Sequence, residues 1–175
     1  MVEEANQAIF DRAQTDSALH NMGTTLVALC LVADRIWLAN VGDSRIYRFR
    51  DGGLVQLTHD HSVVQQMVDG GLMSMDEARV APNRNIITRA LGIEPGVEVD
   101  VTQDTPQAAD LYMLCSDGVT DMIAPDTLQG LFCDHPAPAT LIDAIVDAAN
   151  AAGGGDNISA VLVQLHKAVA SPKAN

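Results

Sequence analysis

Three aspartates, Asp60, Asp117 and Asp156, each stand where an apolar run meets a turn. Carboxylates gathered at strand ends supply the hard oxygen ligands that Mg²⁺ or Mn²⁺ prefers, with no need of His or Cys. The run Leu111-Tyr112-Met113-Leu114-Cys115 delivers Ser116-Asp117-Gly118 at its exit, and Gly153-Gly154-Gly155-Asp156-Asn157 opens the run Ile158 to Leu165. If those strands are antiparallel neighbours, the end of one lies beside the start of the other, and both carboxylates face one spot. Asp60, closing Leu54 to His59, is a candidate third contributor. Taken singly, Asp before Gly or Asn is ordinary turn chemistry. Two features favour a cation site: an unpaired carboxylate directly after an apolar strand is costly, and three glycines before Asp156 permit close backbone approach.

Other residues read more plainly. Gly42-Asp43-Ser44-Arg45 is expected to be a tight turn with a local hydrogen bond and an Arg paired to a nearby acid. His59 and His61 flank Asp60 and are expected at a solvated loop end. Ser116 lacks a Gly-x-Ser-x-Gly elbow and an activating His, so it is not read as a nucleophile. Trp37, Met67, Met73 and Met75 are expected to be packing residues.

The elements that must position these groups follow from periodicity. Val2, Ala5, Ile9 and Ala13 recur at helical spacing, and the seven apolar residues Leu26 to Val32 predict a strand covered on both faces. Ile36 to Val41, Ser44 to Arg50 and Leu54 to Leu57 continue as strands in a meander, the last pair joined by the hairpin turn Asp51-Gly52-Gly53. Val63, Val64, Met67 and Val68 form a helical stripe ended by Gly70-Gly71, and Ser74 with Glu77 is a capping box for a second short helix. Val97 to Val101 reads as a partly exposed strand, and helices are predicted from Pro125 to Phe132 and from Ala139 to Ala151. Strands first and last with helices between imply an α+β layered sandwich.

A chain of 175 residues, 47% hydrophobic, can bury one sizeable core. Its net charge of -13 argues against nucleic-acid or anionic-membrane partners, so any phosphate it handles needs a mediating cation. Cys30, Cys115 and Cys133 are odd in number, and the first two fall in apolar runs, which predicts buried thiols in a reducing compartment, the cytoplasm. No stretch approaches a membrane span, and the first residues carry no signal pattern.

The order of motifs Met22-Gly23-Thr24-Thr25, Val41-Gly42-Asp43-Ser44-Arg45, Leu57-Thr58-His59-Asp60-His61-Ser62, Ile87-Thr88-Arg89-Ala90-Leu91-Gly92, Ser116-Asp117-Gly118-Val119 and Gly155-Asp156-Asn157 resembles the bacterial form of the protein phosphatase 2C (PP2C, or PPM-type) family. The resemblance covers about residues 5 to 166. It implies an α-β-β-α sandwich of two antiparallel sheets flanked by helices, forming one domain over residues 1–170 with a flap subdomain at about 62–89 and a disordered tail at 171–175. It further implies Mn²⁺ or Mg²⁺ in a cleft, with two or three ions in the intact family site. Asp117 and Asp156 would be ligands of the first metal, and Asp60 with Asp117 would hold a third. Gly118, Asn157, Asp43, Ser44 and Arg45 would be supporting residues. The implied reaction is hydrolysis of phosphoserine or phosphothreonine in proteins, opposing a Ser/Thr kinase, by metal-activated water.

Family members begin with two strands carrying an Arg for the phosphate, an Asn-Glu-Asp element and an Asp-Gly-Met-Gly-Gly segment, none of which occurs in this sequence. The resemblance is thus to an N-terminally truncated form. It implies that Asp117 and Asp156 hold at most part of the first metal, and that sheet edges and apolar surface are left bare. Independent activity is therefore in doubt, and the second reading is a non-catalytic pseudophosphatase or phosphoprotein-binding module.

Overall fold

The computed structural model describes residues 1–166, so the predicted tail at 171–175 and the last residues of the predicted domain lie outside the described residues. Helix α1 (Val2–Thr15) carries Glu3 and Glu4 in its first turn and Arg12 in its last, charges that complement the helix dipole. Its best-buried side chains are Asn6 and Ala13. The Asn6 amide donates to the carbonyls of Glu94 and Pro95 at 3.0 and 3.2 Å, and its Oδ1 accepts from the Gly92 N–H at 2.8 Å. A polar pin therefore fixes the helix where periodicity predicted an apolar stripe.

Four strands follow: β1 (Leu26–Val32), β2 (Arg35–Val41), β3 (Arg45–Arg50) and β4 (Gly53–Gln56). The β3–β4 hairpin forms at the predicted turn, where Asp51 (φ 51) and Gly52 (φ 81) both take the left-handed conformation such hairpins need. The predicted meander does not form, because β2 and β3 belong to different sheets. Gly42 is the reason. It sits at φ +103, and a Cβ there would lie 2.4 Å from Thr25 Cγ2, so the chain leaves one sheet and crosses to the other through a space only glycine can use. Val41 and Ile46, on either side of the crossover, are both fully buried.

Short helices α2 (Val63–Asp69) and α3 (Met75–Val80) come next, and the predicted Ser74–Glu77 capping box is formed in full. Strand β5 (Asp100–Asp104) begins three residues later than the alternation suggested, since its pairing with β2 runs from Asn40↔Asp100 to Ile36↔Asp104. Strand β6 (Leu111–Cys115), the single turn α4 (Asp117–Thr120), α5 (Pro125–Asp134), α6 (Pro138–Ala151) and β7 (Ala160–Gln164) complete the order. The sheets are β1-β2-β5 and β4-β3-β6-β7, both antiparallel throughout.

One core lies between the four-stranded sheet and α5 and α6, centred on Met113, Val119, Phe132, Leu141 and Ile145. A smaller one, Ile36, Leu38, Ile46 and Tyr112, fills the space between the sheets. The three-stranded sheet is barer than predicted. Val32, Trp37 and Val101 on its outer face are 53, 40 and 56% exposed, so β1 is not covered on both faces and Trp37 is not a core residue. Cys30, on the same face, is exposed, as is Cys133, and only Cys115 is a buried thiol. The physical cause is that nothing among the described residues covers the outer face of this sheet, on central β2 as much as on the edge strands β1 and β5. Met75 is also exposed, whereas Met73 packs against Val64, Ala78 and Ala81 beneath α2 and α3. No helix of the described residues is long and apolar enough to cross a membrane.

Candidate metal-binding cleft

Strand β6 pairs with β7 from Leu111↔Gln164 to Cys115↔Ala160, so the exit of one adjoins the approach to the other. Ser116 closes this junction: its N–H donates to the Ser159 carbonyl at 3.0 Å, its Oγ accepts from the Ser159 N–H at 3.1 Å, and its hydroxyl donates to the Asn157 carbonyl at 3.2 Å. A hydroxyl so engaged is a clasp. Gly118 then lies so close to the same turn that a Cβ would meet the Asn157 carbonyl at 2.3 Å. Glycine is required there. Asp156 accepts from the Asn157 N–H at 2.7 Å, which orients its carboxylate on the turn.

The result is a crowd of acids. Burial, then the charges of Asp121 and Asp156, raises the Asp117 carboxyl above its usual range. Asp43 is pushed up to about 6 by burial and by Asp117, with Asp60 adding and Arg45 opposing. Asp121 was not singled out from sequence, although its spacing of four from Asp117 was the available signal, since the α4 turn stacks the two.

Asp60 is different. It is 6% exposed, and Arg45 Nε donates to both its oxygens at 3.0 and 2.9 Å while Nη2 donates to Oδ2 at 2.6 Å. Gln56 adds a bond to Oδ1 at 3.0 Å. The predicted Arg–acid pair at the Gly42–Arg45 segment is thus formed with Asp60, while Ser44 bonds not locally but to the Thr25 hydroxyl at 2.8 Å. His61 is not at a solvated loop end: it is 7% exposed, its Nδ1 accepts from the Gly42 N–H at 3.0 Å, and its Nε2 faces Asp100 at 3.2 Å. Burial follows from that double anchorage, because its own N–H also donates to the Gly42 carbonyl. His59 does face solvent, paired with Asp69 at 2.8 Å.

Asp43, Arg45, Asp60 and Asp117 line a cavity of about 60 Å³ beneath α3, with Arg79, Arg84 and Asp121 on its rim. Asp156 and Asn157 line a separate, open groove of about 1070 Å³ with Thr24, Arg89 and Glu98. The donor chemistry suits a hard cation, since Asp117 and Asp156 offer carboxylate oxygens and the charges of Asp121 and Asp156 raise the Asp117 carboxyl. The donor number does not: among the described residues no three His, Cys, Asp or Glu are grouped to hold a metal.

A family model described as protein phosphatase 2C matches residues 1–162. A serine/threonine phosphatase, stp, of Listeria welshimeri is 38% identical over 163 residues, which are 93% of this chain and 65% of the relative. Among solved structures, the serine/threonine phosphatase Stp1 from Staphylococcus aureus superposes with a TM-score of 0.90 at 29% identity, over 94% of this chain and 65% of that one. The catalytic domain of the phosphatase PstP, solved with two manganese ions, gives 0.81 at 36% identity over 90% and 65%. The fold of two antiparallel sheets is thus shared with these solved structures, and the chain belongs to the protein phosphatase 2C family. It spans 65% of the length of the Listeria relative.

Proposed function

We propose that the chain is part of the catalytic domain of a metal-dependent protein serine/threonine phosphatase, with Asp117 and Asp156 as ligands of one Mn²⁺ or Mg²⁺. The observation that carries this is the raised carboxyl of Asp117, held near Asp156 and Asp121 with no cationic side chain of the described residues hydrogen-bonded to it. Such crowding costs stability unless a cation relieves it. When bound, the metal supplies charge neutralisation and an activated water for phosphoserine or phosphothreonine hydrolysis. The chain's own residues do the positioning: Gly118 and Asn157 hold the β6–β7 junction close, Asp43 and Arg45 line the cavity with Asp117, and Ser44 ties their segment to Thr25. Asp60 reaches a cation only by releasing Arg45, so it is the weakest of the three ligands. Residues 62–89 act as a surface subdomain over the cleft, within one domain. The substrates are proteins phosphorylated by a Ser/Thr kinase.

The test is Mn²⁺-dependent hydrolysis of p-nitrophenyl phosphate by the chain, compared with Asp117→Asn. Turnover that disappears in the variant supports the enzyme. That no three His, Cys, Asp or Glu of the described residues are grouped to hold a metal favours a second reading, a module that binds phosphoproteins without turnover. Manganese bound at Asp117 with no turnover by folded protein supports that reading and sinks the first.

A further inference from the structure

Each sheet ends in two edge strands, and the four edges are not alike. Strand β5 carries Asp100 and Asp104 at its ends. Strand β4 has four residues, and its Leu54 N–H donates to the Gln129 side chain of α5 at 3.4 Å. Strand β7 has five residues and leads out of the acidic Asp156 turn. Strand β1 is the longest of these edges, seven residues with no charge, Pro or Gly, and its register with β2 runs unbroken from Leu26↔Val41 to Val32↔Arg35. Among the described residues its backbone bonds to β2 alone. Natural edges are blunted by a lysine, a proline or a bulge, and β1 has none of them. Its side chains report the same gap. Leu31 shares the inner face with its partner Ile36, which is 0% exposed, yet Leu31 itself is 54% exposed.

We propose that β1 is a self-association edge, at which a second copy of this chain adds its own β1, antiparallel, across a two-fold axis at Leu29. A two-fold contact needs a surface that complements itself. In this register Leu29 meets Leu29 of the second copy, Cys30 meets Ala28, Leu31 meets Val27 and Val32 meets Leu26, so every position has an apolar partner on its own face. The two strands exchange about six or eight backbone hydrogen bonds and join two three-stranded sheets into one of six. Charge selects the same place. Copies of a chain with net charge -13 repel one another, and along Leu26–Val32 they meet without opposing acids. The next acid, Asp34, falls level with Thr24 of the second copy.

The test is sedimentation velocity of the 175-residue chain at micromolar concentrations, beside Leu31→Lys, because an inward-pointing charge is how natural edges are closed. The chain is expected to sediment as a dimer, and Leu31→Lys as a monomer with the parent's circular dichroism. Register is read by crosslinking in a Cys133→Ser background, where Cys30 is exposed and Cys115 buried. Ala28→Cys places a thiol opposite Cys30 of the second copy, at the Cα separation of about 4.5–5.5 Å of an antiparallel pair, which a disulfide spans. Mild oxidation should then give a covalent dimer. Val32→Cys lies opposite Leu26 and should give none. A monomeric parent chain, the result expected if a strand of another protein takes this edge, overturns the inference. So do assemblies larger than a dimer, a dimer that survives in Leu31→Lys, or equal crosslinking by the two cysteine variants. If Leu31→Lys fails to fold, the two cysteine variants still decide.

Discussion

The two walls of the cleft hold the same side chain in opposite circumstances. On the Gly42–Arg45 wall, Asp60 is buried and carries four donated hydrogen bonds from Arg45 and Gln56. On the β6–β7 wall, Asp117 is only half-buried, and its neighbours are acids. A buried carboxylate with a bidentate arginine is a structural tie whose removal exposes an uncompensated charge, whereas one among like charges is a vacancy for a cation. The proposed metal chemistry thus falls on the less satisfied of the two walls.

The largest effect is expected from breaking the tie. Arg45→Met should cost about 3–5 kcal/mol in urea unfolding, because it strands Asp60 in a buried place. Next, Gly118→Ala forces a Cβ into the Asn157 carbonyl and should cost about 1–3 kcal/mol, the range of overpacking, with loss of Mn²⁺-induced stabilisation. Asp117→Asn should do the reverse to stability. By removing a crowded charge it should raise the metal-free melting temperature slightly while abolishing the Mn²⁺ shift.

Acidity sharpens the contrast further. Asp43 has a folded-state pKa of about 6, above its ordinary 3.8, so its folded form holds a proton more tightly than the unfolded chain does. Its protonated form favours folding, and that contribution is present below about pH 4 and lost as pH rises through about 6. Asp43→Asn should flatten this part of the stability profile, and an unchanged slope would show that another group carries this titration. The smallest effect belongs to His59→Ala. The solvent-exposed His59–Asp69 pair is screened by water and salt, so its loss should leave the urea midpoint almost unmoved.

Much of this was legible locally. The β6–β7 pairing, the Asp51-Gly52 hairpin and the Ser74–Glu77 box depend on neighbours in sequence or on one antiparallel junction, and all three formed as read. What failed depends on distant partners. Nothing near Gly42 states that Thr25 will lie against it and turn a meander into a crossover. His61 looks like a loop residue until Gly42 and Asp100 arrive. Likewise, a seven-residue apolar run implies two covered faces, but nothing among the described residues covers the outer face of the three-stranded sheet, and Trp37 on its central strand faces solvent. Asp117 and Asp156 were read from composition at strand ends, yet the separate cavities they line could not be.

The uneven cover of the two sheets leaves a usable gauge. Cys30 lies on the bare face and Cys133 at the surface, while Cys115 is sealed in the core with its thiol pushed up to about 12 by burial. A thiol reagent applied to native protein should therefore label Cys30 and Cys133 quickly and leave Cys115 untouched until the four-stranded sheet opens. The stoichiometry of labelling, rather than any spectral change, becomes a count of how many molecules have let go of that core.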